Sequence, residues 1–415
     1  MRPLVLSLVV LVACRAPDAV DGPVVASVEP PYAPLAGGSE VRMRGAGFVA
    51  NDAGANRVFI DGREAPLVRT LDDAELAVVV PPGDLPGDVE IVVLNRNGNT
   101  SARGVLRYST PPTVASASPA RVLASSATTR VTLSGTGFLD EAAGNVEVLV
   151  DGQRVFDVTV VSDTELSFTA PRGRALVRPV VTVIDARGSA TLGRGFQYAP
   201  SERDGLLLFP SFTPSFAMFV DPITLEVIDI PRDGNAATRY SAVTRDERGD
   251  YWGIDRFTRS YGRIDMHTHA LENARFLNTI LPAAIRVGDE LLGVDRITRQ
   301  IVRVDPTTGV FEPLSETFGC CGSFGIADLG GTIYVTYRQV GIPVIASFDR
   351  ATGTFGAPVT LTGVTNLHIE EMRAFDGVLY ASTNIGQLMT IEPITGTVTA
   401  LPVFPGRAHA MEVFD

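Results

Sequence analysis

Short apolar stretches recur along most of the chain, and each one ends at residues that favour a turn. Apolar and polar residues alternate from Glu40 to Arg44, and the Val-rich stretch from Glu75 to Val80 stops at Pro81-Pro82. Alternation with a period of two predicts a strand with one buried face, and a proline pair ends a strand because it removes backbone donors. Stretches of this kind continue from residue 23 to the end, so the sequence predicts an all-β protein.

Residues 23–200 contain a tandem repeat with a period of 90 residues. Equivalent positions hold the same residues in both copies: Gly47-Phe48 and Gly137-Phe138, Asp61-Gly62 and Asp151-Gly152, Glu75-Leu76 and Glu165-Leu166, Pro81 and Pro171, Tyr108 and Tyr198. Copies of this length, rich in Val and interrupted by Gly and Pro, predict two small antiparallel sandwiches. We place these sandwiches at residues 23–110 and 111–200.

The first residues of each copy form a recognisable series. The first copy has Glu29-Pro30, Gly37-Gly38 and Gly45-Ala-Gly47-Phe48. The second copy keeps Gly135-Thr-Gly137-Phe138 but has Ala124-Ser125-Ser126 in place of the Gly-Gly pair. This series resembles that of the IPT/TIG family of immunoglobulin-like domains. The resemblance implies spacer, adhesive or interaction modules and brings no catalytic residues.

The second half of the chain repeats a unit in which a strand ends in an acid and a tight turn leads into the next strand. The acids are Asp221, Asp265, Asp305, Asp349 and Glu392, spaced 44, 40, 44 and 43 residues apart. A period in the forties built from short strands is typical of propeller blades. The acid and the threonine of each unit can bond to the turn backbone, and a following glycine suits the left-handed position.

The ends of this region predict how a ring closes. The first blade begins at Gly205 with its second strand, while residues 409–415 resemble the first strand of the last blade, residues 370–376. We therefore expect the C-terminal strand to complete the first blade and remove the free sheet edges. Residues 201–415 are predicted to be a five-bladed β-propeller. The acid-turn repeats also resemble those of YVTN/quinoprotein-like propellers, but the tryptophans of quinoprotein blades are missing and no cofactor is expected.

Residues 1–13 have the pattern of a signal peptide. Arg2 is basic, Leu4 to Val12 is apolar but too short to span a bilayer, and Ala13-Cys14 follows. This ending resembles the lipobox of bacterial lipoproteins, which implies lipidation of Cys14. The alternative is a plain secretory signal. Residues 14–22 then form a tether, and Arg15 in place of Asp favours the outer membrane within the bacterial cell envelope.

A formal net charge of −12 and a pI near 4.9 argue against a nucleic-acid partner. On this acidic protein, loops predicted on one face of the propeller carry the candidate ligand-binding residues: Arg239, Arg256, Arg296, Arg338, Glu370, Arg407 and His409. Arginine binds oxyanions in bidentate geometry, which favours a uronic acid, sulfate, phosphate or partner carboxylate. The alternative is that Asp255-Arg256 and Asp295-Arg296 are hairpin residues paired with each other or with neighbours.

Cysteine and histidine residues give further, weaker predictions. Cys320 and Cys321 form a vicinal disulfide or remain two thiols, and adjacent cysteines lack the spacing that wraps a metal ion. His267 and His269 share a metal if their side chains point the same way, and otherwise belong to a solvated turn. The solvated turn is the preferred interpretation, so no metal site is predicted.

Three functions remain open. The leading hypothesis is a lipid-anchored cell-envelope protein whose Ig-like modules present a propeller that binds a surface glycan or another envelope protein. The alternative is a carbohydrate-active enzyme that uses Glu370, Glu371 and Glu412, since glycosidases place two carboxylates across the bond that they cleave. These three do not form a set of one acid per blade, so no catalytic residue is predicted. The third hypothesis is a structural or adhesion protein without a ligand site.

Overall fold

The computed structural model describes residues 21–210, 216–231, 239–363, 368–402 and 408–414. These residues form β-strands joined by turns, with short 3₁₀ helices at Ala50–Asp52 and Glu141–Ala143. The all-β prediction is therefore confirmed. Among the described residues, no helix is long and apolar enough to cross a membrane. The predicted signal peptide and Cys14 lie outside the described ranges.

The chain divides into two compact units. Of the described residues, the first unit holds 21–119, 130–170 and 179–195, and the second holds 120–129, 171–178 and those from 196 onward. Short segments from the second 90-residue copy thus belong to the second unit. The domain bounds drawn from the repeats stay predictions.

The first copy of the repeat is a sandwich of two sheets. Its strands are β1 (Val24–Glu29), β2 (Tyr32–Pro34), β3 (Glu40–Ala46), β4 (Arg57–Ile60), β5 (Arg63–Glu64), β6 (Leu67–Thr70), β7 (Glu75–Val79), β8 (Gly87–Asn95) and β9 (Gly98–Ser109). One sheet has the order β1-β3-β7-β6 and the other β2-β9-β8-β4-β5. Met43, Phe48 and Ile60 are fully buried between them. The Tyr108 hydroxyl donates to the Pro81 carbonyl oxygen at 2.5 Å, which ties the last strand to the turn after β7.

The second copy repeats this pattern with one difference. Its strands are β10 (Thr113–Ser118), β11 (Arg121–Leu123), β12 (Arg130–Thr136), β13 (Glu147–Val150), β14 (Gln153–Arg154), β15 (Thr159–Ser162), β16 (Glu165–Thr169), β17 (Val180–Asp185), β18 (Gly188–Gly193) and β19 (Gln197–Ala199). The sheets are β10-β12-β16-β15 and β14-β13-β17-β18, while β11 and β19 form a separate parallel pair. Strands β18 and β19 together correspond to β9, and the break falls at Arg194, whose φ is 68°. The equivalent residue of the first copy, Gly104, has a φ of 74° within the continuous strand β9, so the left-handed conformation alone does not account for the break.

The second unit contains five antiparallel sheets within its described residues after Asp204. Their strands are β20 (Gly205–Pro210), β21 (Phe216–Val220), β22 (Val227–Pro231), β23 (Tyr240–Arg245), β24 (Tyr251–Asp255), β25 (Ser260–Ile264), β26 (Leu271–Phe276), β27 (Ala283–Val287), β28 (Glu290–Asp295), β29 (Gln300–Val304), β30 (Phe311–Pro313), β31 (Cys320–Leu329), β32 (Thr332–Gln339), β33 (Ile342–Asp349), β34 (Thr354–Phe355), β35 (Val359–Thr360), β36 (Ile369–Phe375), β37 (Val378–Thr383), β38 (Leu388–Glu392), β39 (Thr397–Ala400) and β40 (Ala408–Phe414). The sheet orders are β22-β21-β20-β40, β23-β24-β25-β26, β27-β28-β29-β30, β31-β32-β33-β34 with β35 also on β33, and β36-β37-β38-β39.

These sheets form a closed ring, as expected of a propeller. The first strands β40, β23, β27, β31 and β36 contact one another in that cyclic order, so they are the innermost strands. Strand β40 pairs antiparallel with β20, with Gly205 opposite Phe414 and Leu208 opposite Met411. The late strand therefore completes the first sheet, as the end residues predicted.

The acid-turn units lie between the third and fourth strands of their sheets. Asp305 Oδ1 accepts hydrogen bonds from the backbone N–H groups of Thr307 and Thr308 at 2.7 and 3.3 Å, and its Oδ2 accepts from the Thr308 hydroxyl at 2.7 Å. Equivalent bonds to the turn backbone reach Asp221, Asp265, Asp349 and Glu392. The predicted local role of these acids is therefore confirmed.

A left-handed residue ends each of these turns. Gly309, Gly353 and Gly396 have φ values of 73°, 73° and 71°. Leu225 and His269 take the same position in the first two sheets, with φ values of 63° and 55°. The predicted glycine position is confirmed in three turns. In the other two turns a residue with a side chain takes the same conformation, which costs more conformational free energy because a Cβ atom disfavours positive φ.

A single arginine bridges all five innermost strands. Arg373 is buried with 4% exposure, and its guanidinium donates to the carbonyl oxygens of Val243, Ala284 and Ile326 at 2.5, 2.8 and 3.4 Å. These carbonyls lie on β23, β27 and β31, while Arg373 itself belongs to β36. The fifth strand, β40, contributes Glu412, whose Oε2 accepts from Arg373 Nε at 3.3 Å. One guanidinium thus contacts all five innermost strands at the centre of the ring.

Two carboxylates balance this buried charge. Arg373 Nη1 also donates to Glu371 Oε1 at 2.8 Å, and Glu371 has no exposed surface. Burial raises the pKa of Glu371 well above its ordinary value and raises that of Glu412, while the positive charge of Arg373 opposes both shifts. The charge of Arg373 therefore favours the ionised form of each carboxyl group, against the effect of burial.

We predict that Arg373→Met destabilises the protein by about 3–5 kcal/mol, because both buried carboxylates lose their counter-charge. A raised carboxyl pKa gives stability that is present below the ordinary Glu value of about 4.3 and lost as pH rises through the folded value. The destabilisation caused by Arg373→Met should therefore be larger at pH 8 than at pH 5, as measured by urea unfolding. The triple variant Arg373→Met, Glu371→Gln, Glu412→Gln should recover part of it. Equal stability of Arg373→Met and the unsubstituted protein would contradict this role.

The acid turns predict a different pH dependence. The Thr308 hydroxyl and the Thr307 N–H lower the pKa of Asp305, and the Ala351 N–H and Thr352 side chain lower that of Asp349. A lowered pKa gives stability that is present above the ordinary Asp value of about 3.9 and lost as pH falls through the folded value.

The paired variant Asp305→Asn, Asp349→Asn should therefore lose less stability between pH 6 and pH 3 than the unsubstituted protein does. Chemical unfolding at several pH values measures this difference. Glu316→Gln, at an exposed position outside these turns, is the matched control and should leave the pH dependence unchanged. An unchanged slope in the paired variant would refute the assignment.

Candidate functional site

Two turns on one face of the propeller share the chemistry of the acid turns. Between β24 and β25, Asp255 Oδ1 accepts from the N–H groups of Phe257 and Thr258 at 2.8 and 2.9 Å. Between β28 and β29, Asp295 accepts from the Ile297 N–H and the Thr298 hydroxyl, each at 2.8 Å. Both acids are buried. They are occupied by the turns that they shape.

The arginines that follow these acids are held by their backbones. The Arg256 N–H donates to the Arg239 carbonyl oxygen, and the Arg296 N–H donates to the Ile280 carbonyl oxygen, each at 3.0 Å. Within the described ranges, neither guanidinium forms an ion pair or side-chain hydrogen bond. Neither aspartate pairs with the adjacent arginine; both carboxylates bond to neighbouring residues of their own turns, which is the other form of the hairpin interpretation.

Arg256 and Arg296 line one cavity of about 250 Å³ on this face. The other polar lining residues are Ser241, His368, Glu370 and Asn384, and the apolar ones are Pro282, Phe324 and Ile369. Four of the five sheets contribute to this set, and the innermost strands β23, β31 and β36 supply Ser241, Phe324 and Glu370. The cavity thus lies toward the ring axis. The Ser241 hydroxyl donates to the Leu281 carbonyl oxygen at 2.6 Å.

Only part of the candidate set from the sequence meets in this cavity. Arg256, Arg296 and Glu370 line it together with His368, which directly precedes β36. Asn384 was missed, although it directly follows β37 at the same kind of turn. The position after each second strand was therefore the signal that could have found it.

The remaining candidates lie elsewhere or outside the described residues. The Arg239 guanidinium lies over the Phe257 ring at 4.8 Å, and Arg338 Nη1 donates to the Gly341 carbonyl oxygen at 2.9 Å within its own hairpin. Neither lines the cavity. Arg407 is outside the described ranges, as is the side chain of His409 on β40.

The three candidate carboxylates of the enzyme hypothesis have separate roles. Glu371 and Glu412 hold Arg373 in the centre of the ring, and only Glu370 lines the cavity. A glycosidase needs two carboxylates that flank the substrate, about 5–10 Å apart. Within the described part of the cavity lining, these three residues do not supply such a pair.

The histidine pair is not a shared site. His269 is buried and packs edge-on against Phe209 with ring centres 6.2 Å apart, whereas His267 is exposed. Their side chains therefore do not point the same way, and His269 is a core residue rather than part of a solvated turn. The described residues contain no group of three or more His, Cys, Asp or Glu that could hold a metal ion.

The cysteine pair stays a prediction. Cys320 and Cys321 begin β31, where Cys320 lies opposite Arg338 in the ladder, but their side chains fall outside what the structure describes. Trp252 is a packing residue. Its ring stacks on Tyr261 with centres 5.4 Å apart, and its Nε1 donates to Asp246 at 2.9 Å.

Comparison with known proteins supports the two halves of the chain unequally. The IPT/TIG domain profile matches residues 23–108 and 112–198. Comparison with curated proteins finds no match. Among solved structures, the chain is similar to the extracellular region of Plexin A4, with 25% identity, a TM-score of 0.30, and coverage of 43% of this chain and 18% of that one. The matched part thus spans less than a fifth of that protein.

Two bacterial structures are also similar, at lower sequence identity. A gluconolactonase from Xanthomonas campestris has 14% identity, a TM-score of 0.34, and coverage of 48% of this chain and 71% of that one. BamB from Moraxella catarrhalis has 16% identity, a TM-score of 0.27, and coverage of 49% and 65%. TM-scores this low carry no argument about ligand or activity. The profile match and the sheet topology together establish that this chain carries two IPT/TIG domains followed by a β-propeller, the architecture of a surface or binding protein.

Proposed function

We propose that this protein is a lipid-anchored binding protein of the bacterial cell envelope, in which the IPT/TIG domains carry a propeller that captures an anionic partner. The partner is a surface glycan or another envelope protein that presents a carboxylate, sulfate or phosphate. The observation that supports this proposal is the pair Arg256 and Arg296. Both line one cavity, and neither is neutralised by the aspartate beside it.

The size and polarity of the cavity fit one charged group rather than a whole ligand. A volume of about 250 Å³ lies below the range of roughly 300–1,000 Å³ typical of sites that enclose a drug-sized molecule. Two guanidinium groups there can bind one oxyanion with parallel N–H donors. Glu370 and Asn384 can bond to hydroxyl or amide groups beside the anion. The rest of the partner would lie outside the cavity.

The arginine pair gives a direct test. Arg256→Ala with Arg296→Ala should weaken binding on an array of uronic-acid and sulfated glycans and acidic peptides by on the order of 100-fold, because two charge-assisted bonds are lost. Arg248→Ala is the matched control, since Arg248 is an exposed arginine in the turn between β23 and β24 on the opposite face. Unchanged binding by the double variant would end the proposal.

Lipidation has a separate test. Mass spectrometry of the membrane-fraction protein should find an N-terminal Cys14 that carries acyl chains, because a lipobox cysteine is the modified residue in the lipoproteins that residues 11–14 resemble. Cys14→Ser should move the protein to the soluble fraction. An unmodified N-terminus, or membrane association that survives Cys14→Ser, would refute the lipid anchor.

A further inference from the structure

The face that holds the cavity also exposes apolar side chains. The turn between the second and third strands carries one in each of four successive sheets: Phe257, Ile297, Val340 and Ile385, with exposures of 63%, 62%, 92% and 66%. The corresponding turn of the remaining sheet lies outside the described residues. We name these four residues the apolar rim.

Three members of the apolar rim directly follow a residue that lines the cavity. Arg256 precedes Phe257, Arg296 precedes Ile297, and Asn384 precedes Ile385. In each pair the polar residue borders the cavity and the next residue is exposed to solvent. A group that enters the cavity would therefore bring its neighbouring atoms within a few ångströms of apolar side chains.

The fourth member is poorly suited to its turn. Val340 and Gly341 join β32 to β33, with φ values of 50° and 84°. A two-residue turn with both φ values positive favours Asn-Gly, and a β-branched residue is strained there. Neither burial nor turn geometry favours valine at this position. Contact of its side chain with another molecule would favour it.

The rim distinguishes between the two kinds of partner. Sugar rings are commonly held on the open faces of aromatic side chains, and the one aromatic residue of the rim, Phe257, has the Arg239 guanidinium over its ring at 4.8 Å. The other three residues are aliphatic, and aliphatic surface gains free energy when apolar groups cover it. Apolar side chains of a protein meet this requirement, whereas the hydroxyl groups of a glycan do not.

We propose that the partner is a protein segment in which an Asp or Glu side chain enters the cavity while apolar side chains within two or three positions of it cover the apolar rim. This inference rests on the proposed function, because it assigns the occupant of the same cavity. The charges are complementary, because Arg256 and Arg296 can both donate hydrogen bonds to the carboxylate. An extended segment advances about 3.3 Å per residue, so one acid with close apolar neighbours can contact cavity and rim together.

The experiment selects short random peptides displayed on phage against the immobilised full-length protein, with an array of uronic-acid and sulfated glycans probed in parallel. The selected peptides should share an acid flanked by apolar residues. Ile297→Asn with Ile385→Asn should weaken their binding about tenfold or more. Ile394→Asn, at a 78% exposed isoleucine in an acid turn of the opposite face, is the matched control and should leave binding unchanged.

Val340→Asn adds a readout that a structural role could not produce. Asparagine suits the left-handed turn, so this variant should unfold at higher denaturant concentration than the unsubstituted protein. The same variant should bind the selected peptides several-fold more weakly. Unchanged peptide affinity in both Val340→Asn and the double isoleucine variant would overturn the role of the rim.

The remaining outcomes separate this inference from the proposed function. Glycan binding that depends on Arg256 and Arg296 but not on the rim would overturn the protein partner and leave the anion site standing. Peptides without an acid, or peptides insensitive to the arginine variants, would overturn the assignment of the cavity. Self-association in sedimentation that the rim variants abolish would make a second copy of this chain the occupant, against the proposal. If neither the peptide selection nor the glycan array yields a ligand, both this inference and the proposed function are overturned.

Discussion

The propeller depends on a charge that cannot be solvated where it lies. Arg373 donates to carbonyl oxygens of three neighbouring sheets and to carboxylates of its own sheet and of β40, so every innermost strand contacts the same guanidinium. Most propeller contacts join adjacent blades, whereas this group joins all five described sheets at one point. Its planar, permanently charged form suits a position with several acceptors in different directions. Glu371 and Glu412 offset the free-energy cost of burying this guanidinium. They are therefore structural residues rather than members of a catalytic pair.

One turn motif serves two purposes in this ring. On one face, the acid, the threonine and the left-handed residue form a turn in which the acid makes its hydrogen bonds to the turn itself. In the acid turns, proline or methionine follows four of the acids, and Arg350, which follows Asp349, forms an ion pair with Glu290. On the other face, Asp255 and Asp295 form the same kind of bonds, and an arginine follows each of them. Since the aspartate is occupied by backbone donors, the arginine remains available to an outside group. The same structural turn can thus also place an arginine at a cavity, as it does for Arg256 and Arg296.

The sequence predicted what local chemistry and repetition determine. The 90-residue offset, the acid turns and the match between residues 409–415 and 370–376 were sufficient for the sandwiches, the sheets and the closing strand. The position of Arg373 was beyond such reasoning, because its acceptors are backbone carbonyls, which every residue has. Topology placed Arg256, Arg296 and Glu370 correctly at the cavity, but it could not tell that Arg338 bonds within its own hairpin. His269 was misjudged because its burial depends on Phe209, 60 residues earlier in the chain.

The pairing of β40 with β20 makes completion of the ring an event of late synthesis. Roughly 200 residues separate these two strands, which at about 5–20 residues per second takes on the order of 10–40 s on the ribosome. Throughout that interval β20 has an unpaired edge, and an unpaired edge is a template for pairing with another chain. A protein exported before it folds avoids this hazard, because both strands then become available together. Closure of the first sheet is therefore a late step, because the edge of β20 is covered only when β40 is available.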